Sequence, residues 1–228
     1  MPANATVVWM WTFTRSSHIL FLSSYRRKHC TVDYADQLMQ QGQIVLLAYL
    51  LGSTPTAFLV GRRMGVDVRR LGDGNAGSKN VFLHLGLRAG VTVGVVDIIK
   101  GALTVWMARW LGASQTGVYL ASFVAVRGHD FPAFLGFRGG QGMATALGVL
   151  GAMQPFGVGL SVLVTLMVLW RTDDWDCSWV VGLAMIPVGG WLLGWRVQTV
   201  WYSVALLPTI GLKKLIDLPR CRRLQGQR

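Results

Sequence analysis

Charge is scarce in this sequence: 14% of its 228 residues are Asp, Glu, Lys or Arg, and the acidic ones number only 10 against 22 basic. A chain so poor in charge and 52% hydrophobic has too little polar surface to solvate a soluble domain, and it reads as an integral membrane protein. Cysteine is nearly missing. Cys30, Cys177 and Cys221 are odd in number and lack metal-ligand spacing, which excludes a disulfide framework and a zinc site and leaves ordinary free thiols. There is no G-x-S-x-G elbow, no H-E-x-x-H pair and no complete P-loop, so serine-hydrolase, metalloprotease and P-loop ATPase chemistry lack their signatures. The net charge of +12 does not point to nucleic acid, because the basic residues lie between apolar runs and at the termini rather than on the face of a soluble domain. Anionic lipid headgroups or a phosphorylated substrate suit that distribution better.

Apolar stretches are what the chain has in abundance. They run from Ile44 to Val60, Ala89 to Leu111, Val118 to Val126, Met143 to Met153, Phe156 to Trp170, Trp179 to Leu193 and Val197 to Leu212, several of them shorter than the ~20 residues a helical span needs. The third and fourth are weak enough to be broken or re-entrant segments. Pro155, flanked by Gly151 and Gly157, turns the chain between the fourth and fifth. Arg62, Arg63, Arg69 and Arg70 follow the first span, and Lys213, Lys214, Arg220, Arg222, Arg223 and Arg228 follow the last, so the positive-inside rule puts both segments in the cytoplasm. That parity requires an odd number of spans. The expected fold is an all-α integral membrane protein of about seven transmembrane helices with glycine-rich cytoplasmic loops and an outside N-terminus.

Residues 1–40 read as an N-terminal extension, residues 41–212 as one multi-span membrane domain and residues 213–228 as a basic cytoplasmic tail. The extension fits poorly, since Arg15 and His18 interrupt its apolar run, and a chain beginning at Met39 resolves the conflict.

Two glycine-rich segments stand between the apolar runs: "LGDGNAGSKNV", Leu71 to Val81, and "RGHDFPAFLGFRGGQGMAT", Arg127 to Thr145. Glycine lets a backbone approach an anion closely and aim N–H groups at it. In the first segment Gly74 and Gly77 surround Asn75, Ser78, Lys79 and Asn80, which supply amide, hydroxyl and ammonium donors; a solvated turn is the plain alternative. In the second, Arg138, Gly139, Gly140 and Gly142 precede an apolar helix whose N-terminus carries free N–H groups and partial positive charge. His129, beside Phe131 and Pro132, serves equally well as a structural residue or a phosphate contact, and nothing makes it a metal ligand. Asp97 and Lys100 fall one helical turn apart inside an apolar stretch, a spacing that permits mutual pairing. The tryptophans at 170, 175, 179, 191, 195 and 201 cluster near span ends, as interfacial belts do.

At these residues the chain resembles the bacterial acyl-phosphate:glycerol-3-phosphate acyltransferase family, PlsY. The segments "AYLLGSTPTAFLVGR", "GVDVR", "GDGNAGSKNV", "VVDIIKG" and "GHDFPAFLGFRGGQGMATALGVL" follow that family's order and spacing from about Ala48 through Thr145. The resemblance implies a multi-span protein of the bacterial inner membrane that moves a fatty acyl group from acyl phosphate to the 1-hydroxyl of glycerol 3-phosphate. It implies membrane lipid as surroundings, no cofactor, no metal and no nucleic-acid partner. None of the histidines begins the H-x-x-x-x-D motif of the other large glycerolipid acyltransferase group. The chain also departs from the family pattern. Asp73, Ser78, Lys79 and Leu83 stand where serine, alanine, threonine and arginine are usual, Gln141 replaces the second lysine of F-K-G-G-K-G, and the C-terminal "DLPRCRRLQGQR" lacks the usual His and Asn. Lys79 is the candidate stand-in for the lost cation and the neutraliser of Asp73. A catalytically lapsed binding or regulatory protein of the same fold, and a small anion transporter, remain the alternatives.

Overall fold

The computed structural model describes residues 34–225, and every regular element among them is helical. The extension proposed for residues 1–40 therefore lies mostly outside the described residues. Two compact units divide the chain, residues 1–43 and residues 44–228. Described residues 34–43 of the first are continuously helical.

The helix over residues 34–52, α1, stops before Pro55, which has no N–H to continue it, and α2 follows at Thr56–Arg63. A 3-10 turn at Val68–Arg70 leads to α3 (Ser78–Leu85) and, after Gly86 at φ 92°, to α4 (Leu87–Trp110). Next come α5 (Gln115–Asp130), α6 (Met143–Met153), α7 (Pro155–Thr172), α8 (Trp175–Leu192) and α9 (Val197–Gln225). Pro155 occupies the first position of α7, where its missing N–H costs nothing, so it turns the chain there. The apolar stretches all fall on helices, with Ile44–Val60 broken around Pro55. At its C-terminal end α9 runs on to Gln225, through most of the basic segment.

Within the second unit α4 is the hub, packed against α2, α3, α5 and α6. Its contact with α6 brings backbones together: a Cβ at Gly101 would strike the Thr145 carbonyl, and one at Gly148 the Ile98 carbonyl. Val105 and Ala108 of α4, Ala121 and Ala125 of α5, and Val149 and Leu150 of α6 join Ile186 of α8 and Leu206 of α9 in the main core. Large apolar side chains also cover the outside, among them Trp106, Trp110, Leu163, Trp170 and Trp191. An apolar exterior of that extent needs a nonaqueous neighbour. Tyr34–Arg63, Leu87–Trp110 and Pro155–Thr172 are each long and apolar enough to cross a bilayer. With its 11 residues, α6 rises only about 16 Å, half of the ~30 Å hydrocarbon core, and leans on its neighbours instead.

Candidate functional site

Two helices begin where the glycine-rich segments end, and neither has a side-chain cap. Ser114 caps α5 by accepting from Gly117 N–H at 3.1 Å, and Asp174 caps α8 by accepting from the N–H groups of Asp176 and Cys177 at 2.9 and 3.0 Å. Gly77 and Gly142 occupy the same positions before α3 and α6 and offer nothing. The N–H groups of those first turns, with their partial positive charge, are therefore left for an anion. Both open on one cleft: Asn75, Gly77, Ser78 and Lys79 line one side, and Gln141, Gly142, Met143 and Ala144 the other. Asp97 and His129 form its floor, and Trp175 and Trp179 its wall.

The first loop is held by an amide. Asn80 Nδ2 donates to the carbonyls of Val68, Leu71 and Asn75 at 3.0, 3.1 and 3.0 Å, so its side chain is spent on folding the loop and does not line the cleft. Asp73 also acts within the loop, its Oδ1 accepting from Asn75 N–H at 2.9 Å. Gly74 sits at φ 71° in the same turn. Upstream, Asp67 accepts from the backbone and side chain of Arg69, and these hydrogen bonds, with partial burial opposing, hold its carboxyl below the usual range. Lys79 pairs with Asp176 Oδ1 at 3.0 Å, while Lys214 reaches Asp176 Oδ2 at 3.1 Å. The cation expected to neutralise Asp73 thus bridges α3 to α8, and Asp176 in turn joins α8 to α9.

In the second loop the N–H groups of Gly139 and Gly140 donate at 3.2 Å to the carbonyls of Asp130 and His129 at the end of α5. These glycines line a smaller cavity with Thr54, Pro55 and Thr56, and the N–H groups facing the cleft belong to the start of α6. Phe137 is held in the left-handed region at φ 62°, a strained turn for a residue with a side chain. Arg138 next to it is exposed and lines neither cavity.

Asp97 and Lys100 pair at 2.8 Å, as their spacing predicts, and are 1% and 3% exposed. His129 joins them, its Nδ1 2.9 Å from Lys100 Nζ and 3.7 Å from Asp97 Oδ1. Asn75 Oδ1, buried at the cleft, has no hydrogen-bond partner among the described residues. No group of three metal-ligating side chains occurs among the described residues, and Cys177 is a free, exposed thiol.

Beside the cleft lies an apolar cavity of about 270 Å³, lined by Val180, Leu183 and Ala184 of α8 and by Leu207 and Ile210 of α9. Gln141 and Met143 face both spaces, so one wall separates a polar cleft from an apolar cavity. Sequence reasoning missed Gln141, Met143, Asp176 and Lys214 as lining residues and assigned Trp175 and Trp179 to a lipid belt. The Trp175 ring stacks on Phe82 at 6.1 Å and meets Trp179 at 6.4 Å.

Comparison with known proteins agrees with this geometry. The sequence model of the family described as glycerol-3-phosphate acyltransferase matches residues 43–216. Glycerol-3-phosphate acyltransferase 1 of Deinococcus radiodurans is 43% identical over 183 residues, covering 80% of this chain and 90% of the relative. Glycerol-3-phosphate acyltransferase 2 of Dehalococcoides mccartyi is 33% identical over 186 residues, covering 80% and 86%. The crystal structure of PlsY (YgiH), an integral membrane glycerol 3-phosphate acyltransferase in its glycerol 3-phosphate form, superposes with a TM-score of 0.72 at 29% identity, over 82% of this chain and 92% of that one. Its lysophosphatidic acid form gives 0.71. These relatives favour neither the lapsed-protein nor the transporter alternative. The chain belongs to the glycerol-3-phosphate acyltransferase family.

Proposed function

We propose that this protein transfers a fatty acyl group from an acyl phosphate to the 1-hydroxyl of glycerol 3-phosphate, producing lysophosphatidate and inorganic phosphate for phospholipid synthesis. The observation that carries this reading is the convergence of two uncapped helix N-termini on one cleft beside an apolar cavity. Both reactants carry a phosphate, and both helix ends favour one. The donor also carries a hydrocarbon chain, which suits the wall of Leu183, Leu207 and Ile210.

An acyl phosphate is a mixed anhydride and already activated, so the protein's part is to position and neutralise rather than to form a covalent intermediate. The glycerol 3-phosphate hydroxyl oxygen bonds to the acyl carbon and the carbon–oxygen bond to phosphate breaks. A donor phosphate oxygen takes the hydroxyl proton, so the departing phosphate is also the base. Substrate contacts are assigned to Gly77, Ser78, Lys79, Asn75, His129 and Gly142, which line the cleft, with Gly139 and Gly140 shaping it from behind. Gly74 and Asn80 fold the first loop, and Arg138 guides anions towards the entrance.

The arginines at the end of α2 and in the turn that follows it, with the basic end of α9, support seven spans in a bacterial inner membrane with both glycine-rich loops cytoplasmic. Assaying the purified protein with glycerol 3-phosphate and, separately, acyl phosphate or acyl thioesters tests the reading. Transfer from acyl phosphate is expected, and transfer from thioesters alone overturns the assigned donor. Cysteines placed at the exposed positions 70 and 138 should label from the cytoplasmic face, and labelling from the other face overturns the topology.

A further inference from the structure

Lys100 is buried at the base of the cleft, with its ammonium turned towards protein groups. Its ammonium lies 2.8 Å from Asp97 Oδ1, 3.1 Å from the Thr54 carbonyl and 2.9 Å from His129 Nδ1. An ammonium donates hydrogen bonds and accepts none. His129 Nδ1 must therefore accept, which puts the proton of the neutral ring on Nε2. That second nitrogen points towards Gly140, where any Cβ would collide with it, and has no hydrogen-bond partner among the described residues. His129 lines both the cleft and the smaller cavity, and the buried Asn75 Oδ1 and Thr56 Oγ1 around them are also without partners. Unpartnered polar atoms this deep mark the place of a polar ligand.

We propose that Lys100 is a positioning residue that fixes His129 as its Nε2–H tautomer, and that this N–H donates to a phosphate oxygen of a substrate in the cleft. The proposal rests on the acyltransferase reading for the identity of the phosphate. It gives the Asp97–Lys100 pair a purpose apart from substrate contact: it orients a donor, much as outer partners orient the imidazoles of metal sites. It also gives Gly140 a specific reason to be glycine, since space there is what lets Nε2 reach forward.

Amide substitutions separate the two ring nitrogens. The amide nitrogen of Gln stands near the position of Nε2 and that of Asn near Nδ1, so His129→Gln keeps the larger share of the activity that His129→Asn loses. For His129→Asn the KM of glycerol 3-phosphate or of acyl phosphate rises by at least about tenfold, and the substrate affected identifies the phosphate. Nitrogen chemical shifts of the full-length protein in detergent supply a readout that does not need turnover. His129, identified by the signal lost in His129→Gln, should show a protonated Nε2 and an unprotonated Nδ1, and Lys100→Met should convert it to a mixture of tautomers. A protonated Nδ1 in the wild-type protein, an unchanged spectrum in Lys100→Met, or greater activity in His129→Asn than in His129→Gln overturns the proposal. Absence of transfer in the wild-type protein overturns the proposed function instead, while the tautomer stands or falls on the spectrum.

Discussion

The Lys79 ammonium lies 3.0 Å from the Asp176 carboxylate, tying the first turn of α3 to the first turn of α8 across 97 residues of sequence. Lys214 holds the other oxygen, so one carboxylate faces two ammonium groups where the cleft adjoins the apolar cavity. If that excess positive charge serves substrate phosphate, the two sides of the bridge have opposite effects. Lys79→Met is expected to raise the apparent KM for a phosphate substrate by roughly tenfold, and Asp176→Asn, which releases both cations, to lower it by about threefold. Steady-state kinetics checks both, and impairment by both variants would make the bridge structural.

Gly140 faces His129 Nε2 so closely that a methyl group displaces the ring. Gly140→Ala should cut kcat/KM by about a hundredfold while leaving the protein folded by gel filtration and thermal melting. Gly159, where a Cβ meets nothing within 4 Å, is the control. Gly159→Ala should keep full activity and raise thermal stability by about 0.5–1 kcal/mol, the helical preference for alanine.

The amide nitrogen of Asn80 sits within hydrogen-bond distance of three carbonyls and shares its two hydrogens among them. Asn80→Ala leaves those acceptors to water or to nothing, and about 1–3 kcal/mol of stability should be lost. Thermal denaturation in detergent measures it. Asn80→Asp, which places an acceptor where three carbonyls converge, should be worse than Asn80→Ala; the reverse order would show that the amide is not the clasp.

The Asp67–Arg69 pair predicts a pH signature. Because the folded-state pKa of Asp67 is depressed below 3.8, its stabilisation is present above that value and is lost as pH falls through the lower folded value. Asp67→Asn should therefore melt lower than wild type at neutral pH, and the difference should close under strongly acidic conditions. The pair is partly exposed, so the difference should shrink in high salt.

Features set by near neighbours were legible from sequence. Gly-rich punctuation marked both loops, and the i,i+3 spacing of Asp97 and Lys100 foretold their pairing. Features set by distant partners were not. Lys79 looked like the neutraliser of Asp73, its neighbour in the loop, because nothing local signals that Asp176 will arrive on another helix. Trp175 and Trp179 looked interfacial because tryptophan at a span end is equally suited to lipid or to a cleft wall. Asn80 looked like a phosphate ligand because an amide that binds phosphate binds backbone carbonyls just as well. The N–H groups of Gly139 and Gly140 had the same ambiguity until the end of α5 claimed them.

The most direct measurement follows lysophosphatidate and inorganic phosphate together during a reaction of purified protein with acyl phosphate and glycerol 3-phosphate, with Gly140→Val run alongside. The two products should appear in equal amounts, without an initial excess of phosphate, and both should nearly vanish in the variant. Phosphate release without lysophosphatidate, a phosphate burst that reveals an acylated protein, or an undiminished rate in Gly140→Val would contradict direct transfer within this cleft.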